Sequence, residues 1–234
     1  MFATTHWSLV RRAAGPDSQV AQAALGALYE TYAYPLYAYL RRRGQSPEES
    51  QDLVHQLFLD LLAKDQLAHV SPDKGRFRSY LLSAANHALA NEWARRSRQK
   101  RGGGELPVSL DALAAEERYR QEPADRQTPE KAFEQRWALA LLERVLARLE
   151  TEWTTAGRAD AFRELRGFLT GDHDLPGYAE LGRRLGQSEG ATRVAVHRLR
   201  QRYRDLLRAE IARTVDTAAE VEDELRHLLI ALRG

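Results

Sequence analysis

Hydrophobic side chains recur every three or four residues through most of this chain, and no stretch alternates with the two-residue period of a strand. The first long amphipathic segment covers residues 20–43. Its end is predicted by the basic residues 41–43 and by Gly44, which tolerates the backbone conformation that stops a helix. Pro35 lies inside this segment, where its missing N–H predicts a kink or a split.

The second helix has a strong start signal. Ser46 suits the N-cap, Pro47 the first position and Glu49 the third, the pattern of a capping box. Its apolar side is formed by Leu53, Val54, Leu57, Phe58, Leu61 and Leu62. A third helix is predicted from Phe77 to about Ser97 and leads into a basic run that ends at Arg101.

The middle of the chain changes character. Three consecutive glycines at 102–104 predict a hinge, and residues 105–130 combine acids with three prolines, so a flexible linker with one short helical piece near Leu110–Tyr119 is expected. Helical periodicity returns after Thr128 and again around Ala159–Leu169. A capping box at residues 217–220 predicts a final amphipathic helix.

Residues 178–207 predict two helices joined by a tight turn. Gly186 can end the first helix in a left-handed conformation, and Ser188 can cap the second. The second helix is apolar on one side and carries Arg193, His197, Arg200 and Arg204 on the other. This pattern favours a helix-turn-helix that places its second helix in a major groove. The alternative is an ordinary helical hairpin with a solvated basic face.

These patterns predict an all-α protein with two small helical domains joined by a flexible acidic linker. The domains are expected at residues 1–101 and 131–208, the linker at 102–130 and a C-terminal helical extension at 209–234. Residues 1–101 and 136–208 are net basic, whereas the linker region and the tail are net acidic. Basic modules favour polyanion partners because neutralised phosphates release counterions.

Composition excludes several classes of site. The chain has no cysteine, which rules out disulfides and thiolate metal ligands, and its seven histidines are scattered, so we expect no metal and no cofactor. No nucleophile, paired-carboxylate or phosphate-loop arrangement is present, which argues against an enzyme. No apolar run approaches the roughly 20 residues that span a bilayer, and no secretory segment begins the chain, so a cytoplasmic protein without membrane contact is expected.

The third helix mixes aromatic and basic residues around an asparagine. Phe77, Tyr80 and Trp93 alternate with Arg78 and Arg95, a composition that suits single-stranded nucleic acid because bases stack on aromatic faces. The alternative is that the aromatic residues belong to the core.

Three stretches, in this order, resemble bacterial RNA polymerase sigma factors of the small extracytoplasmic-function group. LYETYAYPLYAYLRRRGQSPEESQDLVHQLFLDLL is similar to the polymerase-binding helices of that family. GRFRSYLLSAANHALANEWARRSRQKR is similar to the segment that opens and reads the minus-ten promoter element. Residues 178–207 are similar to the helix-turn-helix that reads the minus-35 element. The resemblance covers about residues 20–208.

The resemblance implies roles for individual residues. Polymerase binding falls on Asp52, Val54, Gln56 and Phe58. Contacts to the minus-ten element fall on Lys74, Arg76, Arg78, Asn86, Arg95 and Arg96. Contacts to the minus-35 element fall on Ser188, Glu189, Arg193, His197, Arg198 and Arg200. Gly182 and Gln187 depart from the family pattern, which predicts a looser turn.

The function implied is that of an alternative sigma factor, which binds core RNA polymerase and promoter DNA and supports transcription initiation. The expected partner surfaces are the clamp of the largest subunits and the flap; an anti-sigma or other regulatory protein is left open. The alternative is a stand-alone helix-turn-helix regulator. We further hypothesise that the tail packs on the second domain or on a regulatory partner and restrains promoter binding, so that deletion of residues 214–234 raises transcription.

Overall fold

The computed structural model describes residues 10, 12–15, 18–63, 67, 77–96, 111–121, 127–170, 175–212 and 218–233, and within these ranges every regular element is helical. The all-α prediction is therefore confirmed. The helices are α1 (Ser18–Arg42), α2 (Pro47–Ala63), α3 (Phe77–Arg96), α4 (Ala112–Arg120), α5 (Pro129–Thr155), α6 (Ala159–Leu165), α7 (Gly167–Thr170), α8 (Tyr178–Arg184), α9 (Glu189–Ala212) and α10 (Ala218–Arg233). No helix in these ranges is both long and apolar enough to cross a membrane.

The chain divides into two compact units. The first comprises Met1–Ala140 together with Ile211–Gly234, and the second comprises Leu141–Glu210. The functional domain boundaries expected from the sequence stay a prediction. The division nevertheless assigns the first part of α5 and the C-terminal helix α10 to the first unit.

The core of the first unit is rich in aromatic residues. Tyr32, Tyr37 and Tyr39 on α1 are at most 1% exposed, as are Phe58 on α2 and Phe77 on α3. Phe77 is thus a core residue, the alternative considered for it. The helix α1 is not split at Pro35, since the flanking turns are buried and tertiary packing outweighs the lost hydrogen bond.

The start of α2 confirms the predicted capping box. The backbone N–H of Glu49 donates to Ser46 Oγ (3.2 Å), and the backbone N–H of Ser46 donates to Glu49 Oε2 (2.9 Å). Gly44 just before it has a φ of 84°, a left-handed conformation that glycine adopts without a steric cost. These two signals fix the sharp connection between α1 and α2.

Packing of the tail on a regulatory partner stays a prediction, but the hypothesis that it packs on the second domain is wrong, because the first unit includes the C-terminal helix α10. Its Glu224 is 1% exposed and accepts a hydrogen bond from Arg78 Nη1 (2.5 Å). The reason is electrostatic, because a buried guanidinium needs carboxylate partners to offset the loss of water. The sequence does not show that Arg78 is buried.

In the second unit the turn between α8 and α9 follows the prediction. Gly186 has a φ of 66°, and Ser188 Oγ accepts from the backbone N–H of Ala191 (3.2 Å) as an N-cap. The expected loosening at Gly182 is not found. A Cβ at Gly182 would lie 2.7 Å from the Gln187 carbonyl oxygen and 3.0 Å from Thr192 Oγ1. Glycine here permits close packing of the turn.

The second unit buries the helical stripe predicted on α5, with Leu141, Val145 and Leu149 at most 3% exposed. The segment predicted as one helix around Ala159–Leu169 is broken at Arg166 into α6 and α7. Phe162, Leu165 and Phe168 still bury their side chains, so the break preserves the apolar face.

Candidate nucleic-acid interface

The helix α9 has a buried face and a cationic exposed face. Thr192, Val196 and Leu199 are at most 2% exposed, and their four- and three-residue spacing places them on the face that packs in the unit. The residues turned outward include Arg193, His197, Arg198 and Arg200, four of the six predicted minus-35 contacts. The other two, Ser188 and Glu189, are exposed at its N-terminus. All six therefore lie on one accessible stretch of the structure.

Arg193 is oriented by two neighbours. Its Nη2 atom donates to Glu189 Oε1 at 2.6 Å, and its guanidinium lies 5.3 Å from the ring centroid of Tyr178. A surface ion pair of this kind contributes little to stability, but it fixes the direction of a long side chain. Arg193 is thus aimed along the flank of α9, towards α8.

A groove of about 650 Å³ runs along this flank. It is lined by Phe168, Leu169, Tyr178, Arg193, Val196, His197, Arg200, Tyr203 and Arg204. Arg200 Nε donates to the Phe168 carbonyl oxygen (3.1 Å), so this cation also satisfies the end of α7. Cations beside aromatic walls suit a polyanion that also carries flat ring groups, such as a nucleic acid with its phosphates and bases.

Arg78, which was predicted to contact the minus-ten element, lies at the start of α3 and is 1% exposed. Its Nε lies 2.6 Å from Glu134 Oε2 and its Nη1 lies 2.5 Å from Glu224 Oε1, while its guanidinium lies 4.1 Å from the Trp137 ring centroid. Burial lowers the pKa of Arg78, but the two carboxylates outweigh it and the net pKa is raised. The guanidinium remains charged and enclosed.

Asn86 lies two turns further along α3 and is half-buried. Its Oδ1 accepts from the Tyr39 hydroxyl at 2.8 Å, and the same hydroxyl lies 3.4 Å from Glu130 Oε1. Burial raises the pKa of Tyr39 and keeps it a hydrogen-bond donor. The side chain of Asn86 is therefore held in place by the buried Tyr39 of the first unit.

The remaining minus-ten residues are placed only in part. Lys74 and Arg76 lie outside the described residues, and for Arg95 and Arg96 the structure describes the backbone at the end of α3. Their assignment to DNA stays a prediction.

The four predicted polymerase contacts separate into two pairs. Asp52 and Gln56 are exposed on successive turns of α2, whereas Val54 is 1% exposed and Phe58 is fully buried. The outward pair can touch a partner directly. The inward pair can act only by holding α2 in place, as shown by the edge-to-face contact of Phe58 with Tyr29 at 4.9 Å.

Sequence reasoning missed two features. Glu116 on α4 accepts from Tyr37 (2.7 Å) and from Arg41 Nε (2.9 Å), so this linker helix is bound to α1. These partners lie far apart in sequence, and no local signal pairs them. Val194 on α9 was also missed, although its place between Gly190 and His197 on the outward face follows from helical periodicity.

Residues 28–99 match the family model for Sigma-70 region 2. The matched range extends from within α1 through α2 and α3. The match supports placing the chain in the sigma-70 family. It also supports interaction with core RNA polymerase and promoter DNA, and a role in promoter melting. No match was found among curated proteins or among solved structures.

Proposed function

We propose that this protein is an alternative sigma factor of the extracytoplasmic-function group, which binds core RNA polymerase, recognises the minus-35 and minus-ten elements and supports initiation. The observation that carries the proposal is the match of residues 28–99 to Sigma-70 region 2. The exposed cationic face of α9 supports a second contact with duplex DNA.

In this proposal α9 lies in the major groove of the minus-35 element. Ser188 and Glu189 face the DNA at the start of the helix, with Arg193, His197, Arg198 and Arg200 along it. Arginines beside a groove neutralise phosphates and supply affinity without sequence information. In the free protein the Arg193 side chain points along the flank of α9, and this direction favours a contact with a DNA phosphate.

In the first unit, α3 serves the minus-ten element. Contact of DNA with Arg78 would require the Glu224 and Glu134 carboxylates to separate from it, so we assign Arg78 to holding α3 in the unit. Asn86 and the basic end of α3, with Lys74 and Arg76 before it, retain their proposed roles at the melted strand. A base captured there would regain by stacking and hydrogen bonds part of the unstacking cost.

The outward pair on α2, Asp52 and Gln56, is proposed to contact the polymerase clamp, and the second unit to contact the flap. The protein supplies binding, needs no cofactor, and leaves bond formation to the polymerase, alongside which it works in the cytoplasm. An anti-sigma partner stays open.

The α9 face also suits the alternative function, a stand-alone regulator that binds duplex DNA without polymerase. Gel shifts with promoter fragments separate the two. A sigma factor binds weakly alone and tightly once core polymerase is added, whereas a regulator binds strongly and sequence-specifically by itself.

Run-off transcription with purified core polymerase and a genomic promoter pool tests the proposal and supplies the recognised motif. The sharpest variant is Asp52→Lys, which reverses an exposed charge on α2 and should abolish polymerase-dependent transcripts. Its matched control is Glu150→Lys, the same reversal at an exposed position of α5, which should transcribe normally. Equal activity of the two variants would remove Asp52 from the polymerase contact.

A further inference from the structure

The outward face of α9 is not uniformly basic. Gly190, Val194, His197 and Gln201 follow one another at the spacing of a single helical stripe, directly opposite the buried Val196 and Leu199. Arg193, Arg200 and Arg204 lie on one side of this outward stripe, and Arg198 and Arg202 lie on the other. From Gly190 to Gln201 the centre of this face thus carries no Arg, Lys, Asp or Glu, and arginines lie on both sides of it. Asp205 and Arg208 follow on the same stripe, and Arg202 is paired with Glu152 (2.8 Å).

Val194 is the apolar member of the outward stripe and is 48% exposed. Few large apolar side chains in the described part of the chain are so exposed, and Val194 is the one of them in the second unit. Valine is also a poorer helix former than alanine, so neither packing nor helix propensity explains a valine at position 194.

Gly190 lies one turn before Val194 and has no packing reason to be glycine. A Cβ built there meets nothing within 4 Å, and the residue is not in the left-handed region. Glycine near the start of a helix weakens it relative to alanine. The missing side chain leaves the N-terminal flank of Val194 open to a close approach from outside.

Arginines on both sides of this stripe match the geometry of a major groove, in which phosphates border the base edges on both sides. The apolar feature of those edges is the 5-methyl group of thymine. Building on the function proposed above, we infer that Val194 is a specificity-determining residue whose methyl groups contact the 5-methyl of one thymine in the minus-35 element.

This assignment divides the work on α9. The flanking arginines contact the DNA phosphates. The outward stripe contacts the base edges, and Val194 supplies the apolar contact among them. Arg193 then contributes affinity through its phosphate contact more than it contributes sequence choice, since Glu189 and Tyr178 aim it towards the flank.

The test uses the holoenzyme and the promoter recovered by run-off transcription. Each thymine of its minus-35 element is replaced in turn by deoxyuridine, which removes only the 5-methyl group, and promoter affinity is measured by gel shift. With the wild-type protein, one replacement should weaken binding about fourfold, the effect of one buried methyl-sized group. With Val194→Ala, affinity for the thymine promoter should fall to a similar degree, and the same replacement should have no further effect.

Two control variants test whether the effect is specific to Val194. Val20→Ala truncates a comparably exposed valine in the first unit and should keep full sensitivity to deoxyuridine. Gly190→Leu fills the open flank and should weaken binding of every promoter variant without unfolding the protein, which circular dichroism checks.

The outcomes separate the inference from the function on which it rests. If the holoenzyme shows no minus-35 dependence, both are overturned. If it depends on the minus-35 element but no thymine replacement weakens binding, or if every loss persists unchanged in Val194→Ala, the role of Val194 is overturned and the sigma-factor function stands.

Discussion

The first unit encloses an arginine, whereas the second unit displays a row of them. Arg78 is 1% exposed between Glu134, Glu224 and the Trp137 ring, while Arg193, on the outward side of α9, keeps 63% of its side chain exposed. The sequence suggested the same role, DNA contact, for both residues. The contrast shows that a basic residue in a segment predicted to bind nucleic acid can serve the fold, and that its carboxylate partners decide which role it has.

The largest expected effect comes from the enclosed arginine. Glu224→Gln removes one of the two carboxylates that offset a buried charge, and we expect the first unit to lose about 3–5 kcal/mol of unfolding free energy. Chemical denaturation followed by tryptophan fluorescence measures this loss. The matched control is Asp223→Asn, an exposed neighbour on α10 paired with Arg226, for which a change below about 1 kcal/mol is expected. Equal losses would mean that the enclosed pair is no stronger than a surface pair.

The second unit should be most sensitive where its turn is closely packed. Gly182→Ala forces a Cβ against the Gln187 carbonyl oxygen, and we expect a loss of about 1–3 kcal/mol, by analogy with overpacked cores. Gly190→Ala is the matched control because its Cβ meets open space, and it should be neutral or stabilising by up to about 1 kcal/mol. Thermal unfolding of both variants measures the difference. A stable Gly182→Ala protein would show that the turn can relax.

Acid should loosen α4 from the first unit. Hydrogen bonds from Arg41 and Tyr37, against an opposing effect of burial, lower the pKa of Glu116 from 4.5 to about 2. Because the folded pKa lies below the unfolded one, this contact contributes fully above about pH 4.5, and its contribution is lost as the pH falls towards 2.

Denaturant unfolding as a function of pH measures the slope in that window. Glu116→Gln should flatten it, and Glu117→Gln, an exposed neighbour on α4, should not. A wild-type slope that survives in Glu116→Gln would assign the acid sensitivity to other carboxylates.

The smallest effect on stability is expected at the displayed arginine. Arg193→Ala removes an exposed ion pair with Glu189 and a cation–π contact with Tyr178, both weak at a surface, and should change the unfolding free energy by no more than about 1 kcal/mol. The same variant should impair minus-35-dependent initiation while polymerase binding, measured by co-purification, stays unchanged. Loss of polymerase binding would place Arg193 outside the proposed DNA contact.

The sequence predicted the elements well because local signals define them. The capping box of Ser46 and Glu49 and the left-handed stop at Gly186 depend on neighbours a few residues away, and both are confirmed. Helical periodicity likewise predicted which face of α9 is buried.

Long-range partners could not be predicted. Arg78 and Glu224 are separated by 146 residues, and Arg41 and Glu116 by 75. No periodicity relates such pairs, because they depend on which surfaces the folded chain brings together. The grouping of the buried Val54 and Phe58 with the exposed Asp52 and Gln56 as polymerase contacts has a different origin. It came from the family resemblance, although helical periodicity had already placed Val54 and Phe58 on the apolar side of α2.

We propose that promoter recognition by this protein depends on core RNA polymerase. The most direct measurement is the affinity of the purified protein for its run-off promoter, by gel shift, with and without core polymerase. We expect weak binding by the protein alone and tight, minus-35-dependent binding once polymerase is added. Tight sequence-specific binding by the free protein, unchanged by polymerase, would contradict this dependence on polymerase.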